Sequence, residues 1–230
     1  MSAALAGVSS MATKHVLAEL GEVYEEKTGL RVSVESMGGV DAAARVRAGG
    51  KYDFVALASD ALAKLETEGH VVAGTHRDIA RSGIAMAVAA GAHAPDISTE
   101  EAVRDAVVNA RTIGFSTGPS GKHLEFLFRK WGIADTIGPR LRQAPPGTGV
   151  GSLIARGEVA LGFQQLSELI HLEGIRIVGP LPPDIQSMTT FSAAVCATSA
   201  HRDQARALLQ FLSSSVTDDS KRRHGMEPCG

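Results

Sequence analysis

The stretch DFVALASD (residues 53–60) decides the fold class of this 230-residue chain. Its apolar part, Phe54 to Ala58, would be buried on both strand faces, which is typical of an interior strand in a parallel sheet. Ser59-Asp60 then provides a helix start directly after the strand. A strand that is buried on both faces and opens at once into a helix predicts an α/β protein.

Strand-like and helix-like segments alternate on both sides of this stretch, with Gly- and Ser-rich loops between them. We predict strands at residues 3–8, 31–35, 53–58, 84–89, 112–115, 160–163 and 176–178, and a return strand at 188–197. We predict helices that end at Gly29 and at Val46, one that begins at Ser59, and further helices at 99–109, 122–131, 150–156, 166–171 and 203–212. The alternation predicts mostly parallel sheets flanked by helices.

The composition excludes several classes of function. The apolar content is 44% and the formal net charge is -2, so a buried core is expected and a nucleic-acid partner or a membrane surface is not. One Trp and two Tyr leave little aromatic surface for stacking bases. The two cysteines, Cys196 and Cys229, do not imply a disulfide framework. Any bound anion must therefore be captured by local groups.

Four loops between a strand and the following helix share one design, in which small hydroxyl or glycine residues predominate. They are residues 9–10, 36–39, 116–121 and 146–151. A helix start carries partial positive charge and unpaired N–H groups, and small residues allow an anion to approach them. Ser, Thr and Gly are also ordinary N-cap and turn residues, so each loop taken alone has a purely structural interpretation. Together, the four loops favour an anion-binding site.

The sequence gives weaker support for a nucleotide-binding, hydrolase or metal site. Ser116 and His123 stand where a nucleotide phosphate loop needs a glycine and a hydroxyl, and no cofactor is expected. Residues 114–118 match the Gly-x-Ser-x-Gly pattern of hydrolases, which leaves a nucleophilic role for Ser116 open beside its role as an anion contact. No metal site is expected for the histidines scattered through predicted turns, which are His70, His76 and His93.

The order of elements, together with three segments, resembles the periplasmic molybdate-binding family of ABC-transporter solute-binding proteins, which includes aconitate isomerase-like members. The segments are residues 24–29 (YEEKTG), 52–55 (YDFV) and 156–165 (RGEVALGFQQ). The resemblance implies a two-lobed type 2 periplasmic-binding-protein fold with the ligand in a cleft between the lobes. Lobe 1 would comprise residues 1–82 and 189–230, and lobe 2 residues 83–188.

The resemblance also implies which residues contact the ligand. They are Ser9, Ser10, Met11, Gly38, Gly39, Val40, Ser116, Thr117, Ser120, Gly121, Thr148, Gly149, Val150, Gln164 and Gln165. The molybdate binders carry a tyrosine where this chain has Gln164-Gln165, and serines where it has Gly38-Gly39. These departures favour a carboxylate-bearing ligand over molybdate.

The isomerase-like members move an allylic proton in a tricarboxylate, which requires clamps for the carboxylates and one proton-transfer group. The candidates for proton transfer are His123, Lys14 and His15, and Arg81 is a candidate clamp. Each could equally be a solvated charge at the end of a helix or strand. A histidine titrates near neutrality, but a carboxylate or lysine with a shifted pKa could also serve as the base.

The sequence leaves two main functions open. The first is a binding protein that delivers a small anion to an ABC-transporter membrane subunit, and the second is an isomerase acting on a tricarboxylate. An anion sensor that signals through a partner is a third option. Residues 1–7 lack the pattern of a signal peptide, so we expect a periplasmic location if an export signal has been removed and a cytoplasmic one if Met1 is the native start. We expect a monomer.

Overall fold

A computed structural model describes residues 4–145 and 147–229 of the chain. Ala3 of the first predicted strand and Pro146 of the fourth predicted loop lie outside the described residues. The strands are β1 (Ala4–Ser10), β2 (Arg31–Met37), β3 (Phe54–Ala58), β4 (Arg77–Ser82), β5 (Ile84–Ala89), β6 (Ile113–Phe115), β7 (Leu141–Gln143), β8 (Leu161–Gln165), β9 (Ile175–Pro180), β10 (Thr189–Val195) and β11 (Glu227–Pro228).

Ten α-helices connect these strands in the described part of the chain. They are α1 (Lys14–Thr28), α2 (Gly39–Arg47), α3 (Ser59–Thr67), α4 (Glu100–Asn109), α5 (Pro119–Lys130), α6 (Ala134–Ile137), α7 (Val150–Ala155), α8 (Leu166–Leu169), α9 (Arg202–Leu212) and α10 (Asp218–Arg223). Every strand and helix predicted from the sequence has a counterpart here. The helix predicted at 122–131 begins earlier, at Pro119, because proline suits the first turn of a helix.

The described residues form two compact units. Unit 1 contains those of 1–82 and 189–230, and unit 2 contains those of 83–188. Unit 1 has a six-stranded sheet in the order β11-β4-β10-β3-β1-β2, and unit 2 has a five-stranded sheet in the order β7-β6-β8-β5-β9.

Both sheets are mixed, whereas the sequence pattern predicted mostly parallel ones. In unit 1, β1 pairs in parallel with β2 and β3, while β10 runs antiparallel to both β3 and β4. In unit 2, β6 pairs in parallel with β7 and β8, while β5 runs antiparallel to β8 and β9. The reversed strands β5 and β10 enter their sheets from the connections between the units. Without a crossover helix before them, they are free to run antiparallel.

The core of unit 1 lies on both faces of its sheet. Along β3, Phe54, Ala56 and Ala58 pack with α1 and α9, while Val55 and Leu57 pack with α2 and α3. All five residues are buried, which explains the uninterrupted apolar run. Unit 2 repeats the arrangement, with α4 and α5 packed in one cluster and α7 and α8 in the other. Because helices cover both faces of each sheet, the connecting loops lie at the ends of the strands.

Candidate anion-binding site

In unit 1, three helices begin at the same edge of the sheet. The parallel strands β1, β2 and β3 end there, and their register places Ser9 beside Ser36 and Ala56. A 3-10 turn at Met11–Thr13 joins β1 to α1, while α2 follows Gly38 and α3 follows β3 directly. The positive ends of three helix dipoles therefore meet at one sheet edge, where ligands of open α/β sheets bind.

Ser9 and Ser10 lie at the carboxyl end of β1. Ser9 is fully buried, and its Oγ lies 2.9 Å from Ser36 Oγ and 3.2 Å from the Ser10 carbonyl oxygen. Ser10 is 7% exposed, and its Oγ has no hydrogen-bond partner among the described residues. A buried hydroxyl left without a partner costs about 1–3 kcal/mol, and buried polar atoms of this kind often mark a binding site. Ser10 is therefore the group in unit 1 best suited to contact a ligand.

The second predicted loop lies next to Ser10. A Cβ on Gly39 would stand 3.8 Å from the Cβ of Ser10, so the two loops adjoin. The N-cap residue of α2 is Gly38, which has no side chain to accept hydrogen bonds from the first N–H groups of the helix. Met11 is half-buried in the turn after Ser10, and Val40 points into solvent with 67% exposure.

A chain of polar side chains in the same unit was not predicted from the sequence. Ser59, at the start of α3, contacts the buried Ser192 through their hydroxyls, and Ser192 Oγ donates to Asp78 Oδ1 at 2.5 Å. His76 Nε2 lies 3.3 Å from the same Asp78 oxygen. Ser59 lies in α3, Ser192 in β10 and Asp78 in β4, while His76 directly precedes β4, and no spacing along the chain relates these residues.

Two of the three charged candidates of unit 1 contact residues near the C-terminus. Lys14 is exposed at the start of α1. His15 stacks on His224 with ring centroids 6.4 Å apart. Arg81 pairs with Glu227 at 3.3 Å, and both side chains are about half exposed, at 47% and 62%. The predicted roles of His15 in proton transfer and of Arg81 as a ligand clamp thus compete with contacts to the C-terminal segment.

In unit 2, the third predicted loop closes on itself. Ser116 Oγ accepts a hydrogen bond from the Gly118 N–H at 3.2 Å and lies 2.9 Å from Ser120 Oγ. A Cβ on Gly121 would stand 1.7 Å from the Ser116 carbonyl oxygen, so only glycine fits there. Thr117 is exposed at the tip of the loop. Ser116 bonds to a hydroxyl and an amide, neither of which is a base that could activate it as a hydrolytic nucleophile.

The fourth predicted loop lies against the end of β8. Thr148 and Gly149 are half-buried, and Val150 is fully buried at the start of α7. Gln164 Oε1 accepts a hydrogen bond from the Gly151 N–H at 3.3 Å, and a Cβ on Gly149 would lie 3.5 Å from the same amide group. Gln165 is also buried, with 2% exposure. Gln164 therefore holds the loop in place.

Glu168 is a candidate site residue that the sequence did not suggest. It lies in α8, immediately after β8, and Gln164 Nε2 donates to its Oε2 at 2.5 Å. Burial raises the pKa of this carboxyl from 4.5 to about 7, and the Gln164 hydrogen bond acts in the opposite direction. The short separation of Glu168 from the predicted ligand residues Gln164 and Gln165 was the available signal, but burial is not visible in the sequence.

His123 has a structural contact within unit 2. It lies in the first turns of α5, and its Nε2 is 2.8 Å from the Ile185 carbonyl oxygen. Its ring also faces the exposed Phe126, with centroids 6.2 Å apart. For the predicted role of His123 in proton transfer, the Nε2 atom would have to give up its contact with this backbone carbonyl.

Two further features are absent from the described residues. In residues 4–145 and 147–229, no cluster of three or more His, Cys, Asp or Glu could hold a metal ion. No helix in those ranges is long and apolar enough to cross a membrane. A groove of about 500 Å³ in unit 2 lies at the opposite end of β8, beside Leu161 and Val88, and none of the predicted site residues lines it.

Comparison with known proteins defines the class. Residues 5–227 match the family model of the bacterial extracellular solute-binding proteins, and the chain belongs to this family. The family and the two-lobed α/β solute-binding fold expected from the sequence are thereby confirmed. A curated relative, the aconitate isomerase of Pseudomonas sp, is 36% identical over 227 residues, which are 96% of this chain and 86% of that protein.

Two of the solved structures that resemble the chain are described as molybdate or molybdenum proteins. The periplasmic molybdate-binding protein of Azotobacter vinelandii matches with a TM-score of 0.83 and 18% identity, covering 98% of this chain and all of that one. The substrate-binding domain of a putative molybdenum ABC transporter from Clostridium difficile matches with a TM-score of 0.74 and 17% identity, covering 100% of both chains. At this level of identity, these similarities establish the fold alone.

Proposed function

We propose that this chain binds a small polycarboxylate and catalyses the allylic isomerisation of aconitate between its trans and cis forms. The observation that carries anion binding is the buried Ser10 hydroxyl without a partner among the described residues, located where three helices begin. The similarity to an aconitate isomerase over 96% of the chain supports the choice of ligand and reaction. Gln164-Gln165, in the place of an expected tyrosine, agrees with a carboxylate ligand.

The proposed reaction is a 1,3-proton shift. A base removes a proton from the methylene carbon, the double bond moves by one position, and a proton returns to the former vinyl carbon. The intermediate carbanion is stabilised by its conjugated carboxylates and by N–H and O–H donors that face them. The reaction is redox-neutral. The requirement placed on the protein is a set of fixed donors and one proton-transfer group.

A nuclear magnetic resonance assay tests the proposal directly. The purified protein is incubated with trans-aconitate, and the vinyl signal of the cis isomer is followed over time. In deuterium oxide, a 1,3-shift through a solvent-exchangeable group places deuterium in the product. Absence of conversion at high protein concentration would rule out the isomerase function.

Thermal-shift measurements test the binding step separately. A ligand at about a hundred times its Kd stabilises the folded state by roughly 2.7 kcal/mol, which raises Tm measurably. We expect trans-aconitate to raise the Tm of the wild-type protein and to lose most of this effect in Ser10→Ala. The matched control is Ser33→Ala, which removes an exposed hydroxyl from β2. Equal ligand-induced shifts in the two variants would contradict the placement of the anion at Ser10.

Delivery of an oxyanion to an ABC-transporter membrane subunit is the second candidate function. The solute-binding family and the molybdate- and tungstate-binding structural neighbours favour it. This function requires export, so we propose a periplasmic location for it. A rise in Tm with molybdate or tungstate, with none for citrate or either aconitate isomer, would select it over the isomerase.

A further inference from the structure

We propose that Glu168 is the catalytic residue that removes and returns the proton in this isomerisation. The inference rests on the proposed function and adds to it the identity of the proton-transfer group. Glu168 lies in α8, which follows β8 directly, and is three residues after the predicted ligand residue Gln165.

The side chain of Glu168 is held by a short relay of contacts. Gln164 Nε2 donates to Glu168 Oε2 at 2.5 Å, and Gln164 Oε1 accepts from the Gly151 N–H at 3.3 Å. Gln164 is 3% exposed, so it cannot exchange these partners for water. These contacts fix the direction of the Glu168 carboxyl and connect it, through Gln164, to the N–H of Gly151 in the fourth predicted loop. A base that acts on a carbon acid needs this fixed geometry.

Among the described residues, no charged group is a cause of the raised pKa of Glu168, which responds to burial and to the Gln164 hydrogen bond. The strands packed most closely against α8 are β5 and β8, and neither carries an acidic or basic residue. α7, reached through Gln164, carries none either. The next charged or titratable residues along the chain, His171 and Glu173, are exposed. Burial therefore acts on the carboxyl without an ion pair to offset it.

These surroundings suit a group that must accept a proton and then release it. The pKa of about 7 means that the carboxylate and the carboxylic acid are both populated near neutral pH. A base with a pKa near the working pH combines a sufficient unprotonated fraction with sufficient basicity. An exposed carboxylate would be too weak a base for the methylene proton. The other candidates are less suitable, because Lys14 is exposed and His123 already contacts a carbonyl oxygen.

The step balances with Glu168 alone. In the first half, the carboxylate takes a proton from the methylene carbon, and the electron pair of that C–H bond becomes delocalised over the allyl system. In the second half, the carboxylic acid gives one proton to the former vinyl carbon, and a new C–H bond forms there. The carboxylate is regenerated, and one C–H bond has been exchanged for another. No oxidant, reductant or co-reactant is consumed.

The test compares Glu168→Gln with Glu173→Gln, which removes an exposed carboxylate from the same unit. Glutamine keeps the size and the acceptor oxygen of Glu168 but cannot take up a proton. We expect kcat for aconitate to fall by about 10²- to 10⁴-fold in Glu168→Gln and to stay unchanged in Glu173→Gln. The rise in Tm with trans-aconitate should persist in both. Glu168→Asp should restore part of the rate.

The pH profile provides a second readout. Because the unprotonated carboxylate is the base, kcat/KM of the wild-type protein should rise with pH and level off above about 7. The remaining activity of Glu168→Gln should lack this inflection.

Two outcomes would overturn the assignment while leaving the isomerase function intact. One is a wild-type protein that isomerises aconitate and a Glu168→Gln variant that keeps its rate within threefold. The other is a variant that loses both rate and ligand-induced Tm shift, which would make Glu168 a binding group. A wild-type protein without activity toward aconitate would overturn the proposed function, and this assignment with it.

Discussion

Replacing Glu19 with glutamine should weaken unit 1 in a way that depends on pH. Glu19, in α1, receives hydrogen bonds from Ser220 Oγ at 2.7 Å, from Arg223, and from His224 Nε2 at 2.7 Å. The Ser220 hydrogen bond, then those of Arg223 and His224, hold the pKa of this carboxyl at about 2, below its usual 4.5. The carboxylate therefore anchors α10 to α1.

The size of the effect follows from that pKa. A change from 4.5 to about 2 corresponds to a ceiling of about 3 kcal/mol, since each factor of ten in the ionisation constant is about 1.4 kcal/mol. The side chain of Glu19 is 30% exposed, and water screens its contacts. We therefore expect Glu19→Gln to lower the free energy of unfolding by about 1 kcal/mol at pH 7.

The sign is set by a folded-state pKa that lies below the unfolded one. The stabilisation is present above pH 4.5 and is lost as the pH falls toward 2, so the difference between wild type and Glu19→Gln should shrink to roughly half at pH 3. Urea unfolding followed by far-UV circular dichroism measures this. Glu22→Gln, an exposed neighbour in α1, is the control. A difference that is the same at pH 7 and pH 3 would refute the reasoning.

Two other changes test the packing. Gly121→Ala places a Cβ where the Ser116 carbonyl oxygen stands 1.7 Å away and should cost at least about 2 kcal/mol, read from the fluorescence of Trp131 in unit 2. Gly138→Ala, which meets no atom within 4 Å, is its control, and equal stability of both would contradict the clash. Burial raises the pKa of the Cys196 thiol to about 12. Iodoacetamide at pH 8 should therefore label only the less buried Cys229. The folded Cys229→Ser variant should not react. Labelling of that variant without denaturant would count against a closed core around Cys196.

The parts of the fold that the sequence predicted are those with strong periodicity. The apolar run of β3 is buried by helices on both faces, and the amphipathic α9 buries Leu208 and Leu212 as a surface helix does. The strands that were missed have polar sequences or few residues. β4 reads RDIARS, and β7 and β11 have three and two residues, so neither alternation nor length identifies them.

The candidate site was predictable where local chemistry determines it. The position of Ser10 at the end of a strand is a local property, and so is that of Gly39 at a helix start. The burial of the Ser10 hydroxyl and the raised pKa of Glu168 depend on residues far along the chain. The same holds for His123, whose contact with the carbonyl of Ile185 crosses 62 positions. Sequence patterns place a residue on an element but do not show its distant partners.

The location of β10 between β3 and β4 has a consequence for biosynthesis. On the ribosome, β3 and β4 emerge early, but the strand that joins them follows only after residues 83–188 have been made. Until then, the apolar β3 has an unpaired edge, which is a site for mispairing and a substrate for chaperones. Residues 83–188 contain all the strands of their own sheet and can close it during translation. Unit 1, although its synthesis starts first, is therefore completed last.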